Sequence, residues 1–228
     1  MDEHVDHLKA QGDATKKSMD DNRTKLDAKG FKQAKYDSFV SSQNSLTTAD
    51  KTQAESVEAA ESATDLKSNT KAEALELIEK VNFTVMSTWG TQKAKRKTFK
   101  VDELLTGGYN GIIDRCEYLG PQCETYIADL IENGMTADDV ANIKAMPDKL
   151  RAANAGQNTA KKAQKAATGI RDDAAKAFKS ELNKILNFVK ANFAKDKAML
   201  TAFEPIPKGG GGRNQGGNDT PPPTPPAQ

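Results

Sequence analysis

Apolar side chains along this sequence recur at steps of three and four, and almost nowhere at steps of two. That is helix periodicity; a weak Thr98-Phe99-Lys100-Val101 is the one alternating stretch. Val5, Leu8, Met19, Leu26, Tyr36 and Val40 fall on a single three-four grid, which predicts one long, polar helix over residues 3–44. Ser45-Leu46-Thr47-Thr48 reads as a turn, because Thr47 or Thr48 can cap a following helix that starts acidic. That helix is predicted over about 49–90, Ala- and Glu-rich at first, then carrying Leu75, Leu77, Ile78, Val81, Val85, Met86 and Trp89. Two such neighbours make a first antiparallel hairpin over about 3–97.

The texture changes in the middle. Leu104 to Ile113 is apolar at both ends and punctuated by Gly107, Gly108 and Gly111. Gly120-Pro121 predicts another break, with Pro121 opening a helix that reaches Asn133-Gly134. Residues 99–134 are therefore expected to form a shorter, apolar helical insert. Thr136, with Asp138 and Asp139 behind it, starts a helix predicted to end near Asn154-Ala155-Gly156. A last helix follows from about 160 to 202, with Gly169 its weak point, and completes a second hairpin over about 136–203. Ala153, Ala160, Ala163, Ala167, Ile170, Ala174 and Ala177 keep three- and four-residue steps, the pattern of a small-residue helix-packing seam. Thr48 to Gln53 is faintly echoed by Thr159 to Gln164, which hints at a duplicated hairpin.

Composition separates this chain from a disordered one. Of 228 residues 31 are alanine, and only 52 are larger apolar residues, yet the formal net charge is just +1. Low hydrophobicity with balanced charge and much Ala, Lys and Glu points to helix. The large apolar residues are unevenly placed: 27 lie within 73–146 and only twelve within 1–72. The expected fold is all-α: an elongated bundle of two long antiparallel hairpins spanning 1–203, with the apolar insert between them. From Glu204 onward seven of the nine prolines and a run of glycines cannot bury a core, so 204–228 is expected to be a flexible tail.

Charge sorts by segment. Residues 50–80 are net acidic and 160–200 net basic, which suits side-by-side packing and choice of partner. No apolar stretch follows the acidic start at Met1-Asp2-Glu3, and the longest apolar run is three residues, Ala198 to Leu200. A cytoplasmic protein with no membrane span is expected, with signal-independent export also compatible. Leu104 to Ile113 is too short and Gly-rich for the inserting segment of a pore-forming toxin.

Candidate chemistry is sparse. His4 and His7 sit near the start with no third ligand, so no metal is expected. Cys116 and Cys123, seven apart, read as reduced, partly buried small hydrophobes. Gly107-Gly108-Tyr109-Asn110-Gly111 lacks the Gly-Lys-Ser/Thr ending of a phosphate loop and reads as a flexible linker or a tight packing corner. Lys93, Lys95, Arg96, Lys97 and Lys100, with Trp89 and Phe99 nearby, form the one dense basic cluster. Basic side chains interleaved with aromatic rings suit single-stranded nucleic acid, but 102–139 is strongly acidic, and pairing with it, or with an acidic partner, explains the cluster better. Asp20-Asp21, Asp102-Glu103, Asp138-Asp139 and Asp172-Asp173 read as caps and solvated faces. No catalytic residue, enzyme activity or cofactor is expected. The expected function is a helical scaffold that self-associates, as a homo-oligomer or filament, or docks on another helical protein; the alternative is a nucleic-acid-associated protein using 93–100.

Overall fold

The computed structural model describes residues 3–207, and every regular element among them is an α-helix. In order these are α1 (Glu3–Asp21), α2 (Arg23–Ala28), α3 (Gln33–Trp89), α4 (Lys93–Thr98), α5 (Gly108–Thr125), α6 (Ile127–Glu132), α7 (Ala137–Asn192) and α8 (Lys197–Ala202). The three-four periodicity is thus realised throughout. Two compact units result among the described residues, one from 3–47 with 174–207 and the other from 48–173, and α3 and α7 contribute to both. Most of the tail expected from Glu204, residues 208–228, lies outside the described residues.

The expected turn at 45–48 is not there. Leu46 and Ala49 stay buried on the helix face that Phe39 and Gln43 begin, so burial continues through the segment. Thr47, one of the two expected caps, bonds backward instead, donating to the Gln43 carbonyl, as Ser45 does to the Ser41 carbonyl. The chain turns earlier. Gly30 takes φ +80°, and the N–H groups of Lys29, Gly30 and Phe31 return to the carbonyls of Leu26 and Asp27.

In the first unit, Val5, Leu8, Met19 and Leu26 face Phe39 and Leu46 of α3 and Phe178, Leu182, Ile185 and Val189 of α7. Phe31 meets Phe188 edge-on at 5.1 Å, and Phe39 tilts against Phe178 at 5.2 Å. The expected helix 160–202 is corrected here: α7 ends at Asn192, and Asp196 then caps α8 by accepting from the Met199 N–H at 3.1 Å. The start of the expected tail is held, since Ser18 donates to the Ala202 carbonyl at 2.5 Å and the Ile206 N–H donates to the Gln11 side chain.

The second unit holds the richer core, as the count over 73–146 implied. Ala74, Ile78, Val81 and Val85 of α3 pack with Ile112, Cys116, Leu119 and Cys123 of α5 and Val140, Ile143, Met146 and Leu150 of α7. Three expected breaks fail. Pro121 lies inside α5 and opens nothing; the adjacent Gly120 is a contact, its Cβ position 3.2 Å from the Lys144 Cα, so its lack of a side chain lets α5 approach α7. Gly156 and Gly169 meet nothing within 4 Å and interrupt nothing, because α7 runs through them on the strength of its seam. Thr136 and Asp139 form a reciprocal cap at the start of α7, each side-chain oxygen accepting the other's N–H, at 2.7 and 3.1 Å. Burial works against charge on Asp139, but bonds from Lys80 and Thr136 win and hold its carboxyl below the usual range.

Candidate functional site

The basic cluster is a packing device. Trp89 is buried at the end of α3, stacked on Phe99 at 5.6 Å and edge-on to Tyr126 at 5.6 Å. Lys95 covers this group, its Nζ 3.7 Å from the Tyr126 ring centre and 5.2 Å from that of Trp89. Lys100 sits 3.9 Å over Tyr118, and Arg96 reaches Asp102 with two nitrogens, at 2.5 and 3.1 Å. Lys100 holds φ +53°, a strained setting for a side-chain-bearing residue, and its carbonyl accepts from Arg115 at 3.0 Å. Arg115 also donates to the Glu103 carbonyl at 3.1 Å and so closes the 99–107 connection. Of the five basic residues only Lys93 and Lys97 are exposed with no ion pair among the described residues. The rings that a nucleobase would stack on are already covered. Tyr118, Tyr126 and Arg115 were not singled out from sequence, although Arg115, alone among acidic residues, was the available signal.

The small-residue seam divides in two. Ala153 and Ala167 are buried and Ala160 is half-buried between α7 and α3, and Ala174 is half-buried in the first unit. Ala163 and Ala177 are exposed, and Ile170 is 62% exposed. The correction is one of register. The inward positions alternate Ala153, Ala160 and Ala167 with Gln157, Gln164 and Arg171, an unbroken heptad that places Ala163, Ile170 and Ala177 on another flank. Facing them on α3 are Gln53, Ala60, Thr64 and Lys67, all buried or half-buried.

This seam is joined by hydrogen bonds. Lys67 donates to Asn154 at 2.7 Å and to Gln157 at 3.1 Å, and Gln157 donates to Thr64 at 3.1 Å. The Lys67 ammonium also lies 4.6 Å from the Tyr109 ring centre, and the Tyr109 hydroxyl donates to the Leu150 carbonyl at 2.8 Å. These bonds link α3 to α7 at one register, Thr64 beside Gln157 and Lys67 beside Asn154.

Little else offers chemistry. Cys116 and Cys123 are free and buried, and burial pushes both thiols up to about 12. Burial therefore leaves little of the reactive thiolate at either position in the folded chain. We expect a thiol reagent at pH 8 to leave both unlabelled until denaturant is added; rapid labelling of the folded chain would show that the α5 core opens. Among the described residues no group of three His, Cys, Asp or Glu side chains is placed to hold a metal ion. A cleft of about 950 Å³ in the first unit is lined by Lys25, Lys29, Lys195 and Lys197 over Phe193, with Lys25 3.5 Å from Asp196. It brings no acid/base pair together. Gly107–Gly111 is the tight entry into α5: a Cβ at Gly111 would fall 1.6 Å from the Thr106 carbonyl oxygen. No described helix is long and apolar enough to cross a membrane. Comparison with protein-family models, curated proteins and solved structures returned no match.

Proposed function

We propose that the chain is a non-enzymatic helical scaffold that associates with itself or docks on partner helices. The observation that carries this is the stretch of the second unit where α3 and α7 have only each other. From Thr52 to Leu66 the α3 segment holds four acidic residues and no basic one; from Ala155 to Arg171 the α7 segment holds four basic residues and no acidic one. Glu58, Glu61, Asp65, Lys161, Lys162 and Lys165 make no ion pair among the described residues. The seam beneath them is alanine and amide, so the pair excludes little apolar surface from water and gains from a further layer of helix. Opposite charges carried on separate helices, unpaired among the described residues, are the arrangement that selects a partner by complementarity.

Light scattering on the purified chain at micromolar concentration checks this. A mass that is a multiple of 24.6 kDa is expected. A compact monomer with a single cooperative melt would refute self-association.

A further inference from the structure

We infer that the cleft of the first unit binds a small ligand bearing clustered phosphate groups. Two distant segments build it: the end of α2 supplies Lys25 and Lys29, and the α7–α8 connection with the first residue of α8 supplies Lys195 and Lys197. Lys25 and Asp196, 171 residues apart, meet at 3.5 Å, and Phe31 meets Phe188 edge-on at 5.1 Å, so the fold holds these segments side by side. Residues 22–35 carry five basic side chains and one acidic, and residues 184–197 carry four and one. Their convergence makes this end of the unit strongly cationic.

Both acids are already engaged. Asp27 pairs with Arg23 at 3.0 Å, and Asp196 accepts from the Met199 N–H and lies against Lys25. Lys29, Lys195 and Lys197 are exposed and make no ion pair among the described residues. Helix ends explain only part of this. The dipole favours a cation near a helix C-terminus, which accounts for Lys25 in the last turn of α2 and Lys29 just after it. Lys197 opens α8, where the same preference would place an acid, and the first turn of α8 holds none.

Charge and walls set the class of ligand. Between the lysines the lining is Ala28, Ala191 and Ala194, with Phe193 buried. Apolar walls between charges of one sign focus the field in a concave site and raise the local concentration of counter-ions. By contrast, the groove lined by Glu61, Asp65 and Lys161 in the second unit carries both signs. A phosphate group bears about −1.5 to −2 at pH 7, so two adjacent groups match the three unpaired ammoniums, and one carboxylate would leave most of that charge unbalanced. The volume, about 950 Å³, exceeds what one inorganic ion fills and is in the range of small-molecule sites. A nucleic-acid strand fits less well. It spreads its charge at one per nucleotide, and the cleft's one ring, Phe193, is buried and cannot stack a base.

The test uses the full chain, with inorganic tripolyphosphate as the probe. Isothermal titration at low ionic strength should show one site that weakens as salt is added. Lys29→Ala, Lys195→Ala and Lys197→Ala should each raise the dissociation constant by about threefold, and all three together by at least about tenfold. Circular dichroism should be unchanged, since all three side chains are exposed. Lys93→Ala with Lys97→Ala removes two exposed cations from the second unit and should leave binding unchanged, which separates the cleft from a general attraction to anions. Phosphatidylcholine vesicles carrying a bisphosphorylated inositol lipid distinguish the two sources of clustered phosphate. Co-sedimentation reversed by tripolyphosphate would make the ligand a membrane headgroup; no co-sedimentation would make it a soluble polyphosphate. Absent binding of tripolyphosphate, affinity unchanged in the triple variant, or equal competition by sulfate or single-stranded RNA would overturn the site.

Discussion

Truncating Trp89 to alanine is expected to destabilise the second unit by about 3–5 kcal/mol, the range for removing a buried large aromatic side chain. The indole is 7% exposed and touches Phe99 and Tyr126, and Lys95 rests over it. Its loss opens a cavity at the end of α3 and removes the surface against which α4 and α6 are set. Chemical denaturation followed by circular dichroism should show the midpoint falling. Lys93→Ala and Lys97→Ala, on exposed side chains, should change stability by no more than about 0.5 kcal/mol. The comparison separates two roles for the cluster. If the rings serve packing, Trp89→Ala costs stability and the chain gives no salt-dependent shift with single-stranded DNA or RNA at low salt. A Trp89→Ala variant that melts like the unmodified chain would sink the packing role.

In the first unit the largest effect is expected at Phe178. It is fully buried, tilted against Phe39 at 5.2 Å, and its Cζ lies 2.5 Å from where a Cβ at Gly12 would stand. Phe178→Ala should cost about 3–5 kcal/mol, a large part of what a domain of this kind has. Gly12→Ala alone should cost about 1–3 kcal/mol, because α1 would be pushed off the ring. Combined with Phe178→Ala, the Gly12 substitution should cost nothing more or should partly restore stability, since the added methyl enters the space the ring leaves. Additive losses in thermal melts of the double variant would show that the two helices do not meet at this point.

The two cases also show what a sequence displays and what it hides. Trp89, Phe99 and the lysines were visible as a cluster, and their types suggested charge pairing with the acidic 102–139 segment or an acidic partner, with nucleic-acid stacking as the alternative. The rings they meet in the structure, Tyr118 and Tyr126, lie on α5 and just past its C-terminal end, and no spacing rule joins the two segments. Gly12 and Phe178 are farther apart still. The seam was nearer to legible: its three-four steps were read correctly, but choosing alanines over amides shifted the register, so that Ala163 and Ile170 were counted inward. Gln157 and Gln164 look like surface residues until Thr64 and Lys67 stand opposite them.

By itself the sequence determined that the chain is helical, that its densest core lies within 73–146, and that acid and base sit on different helices. Those follow from periodicity, composition and charge, which are local or additive. Where the helices stop was decided by tertiary structure. Ser45 to Thr48, Gly120-Pro121, Asn154 to Gly156 and Gly169 all carry the chemistry of a break, worth about 1 kcal/mol for a cap or a glycine and about 3 kcal/mol for a proline inside a helix. Each was overruled because continuous burial of α3 on α7, or close approach of α5, outweighs a local preference of that size. The turn at Gly30 survived because Phe31 is buried beside it and no packing is lost by stopping there.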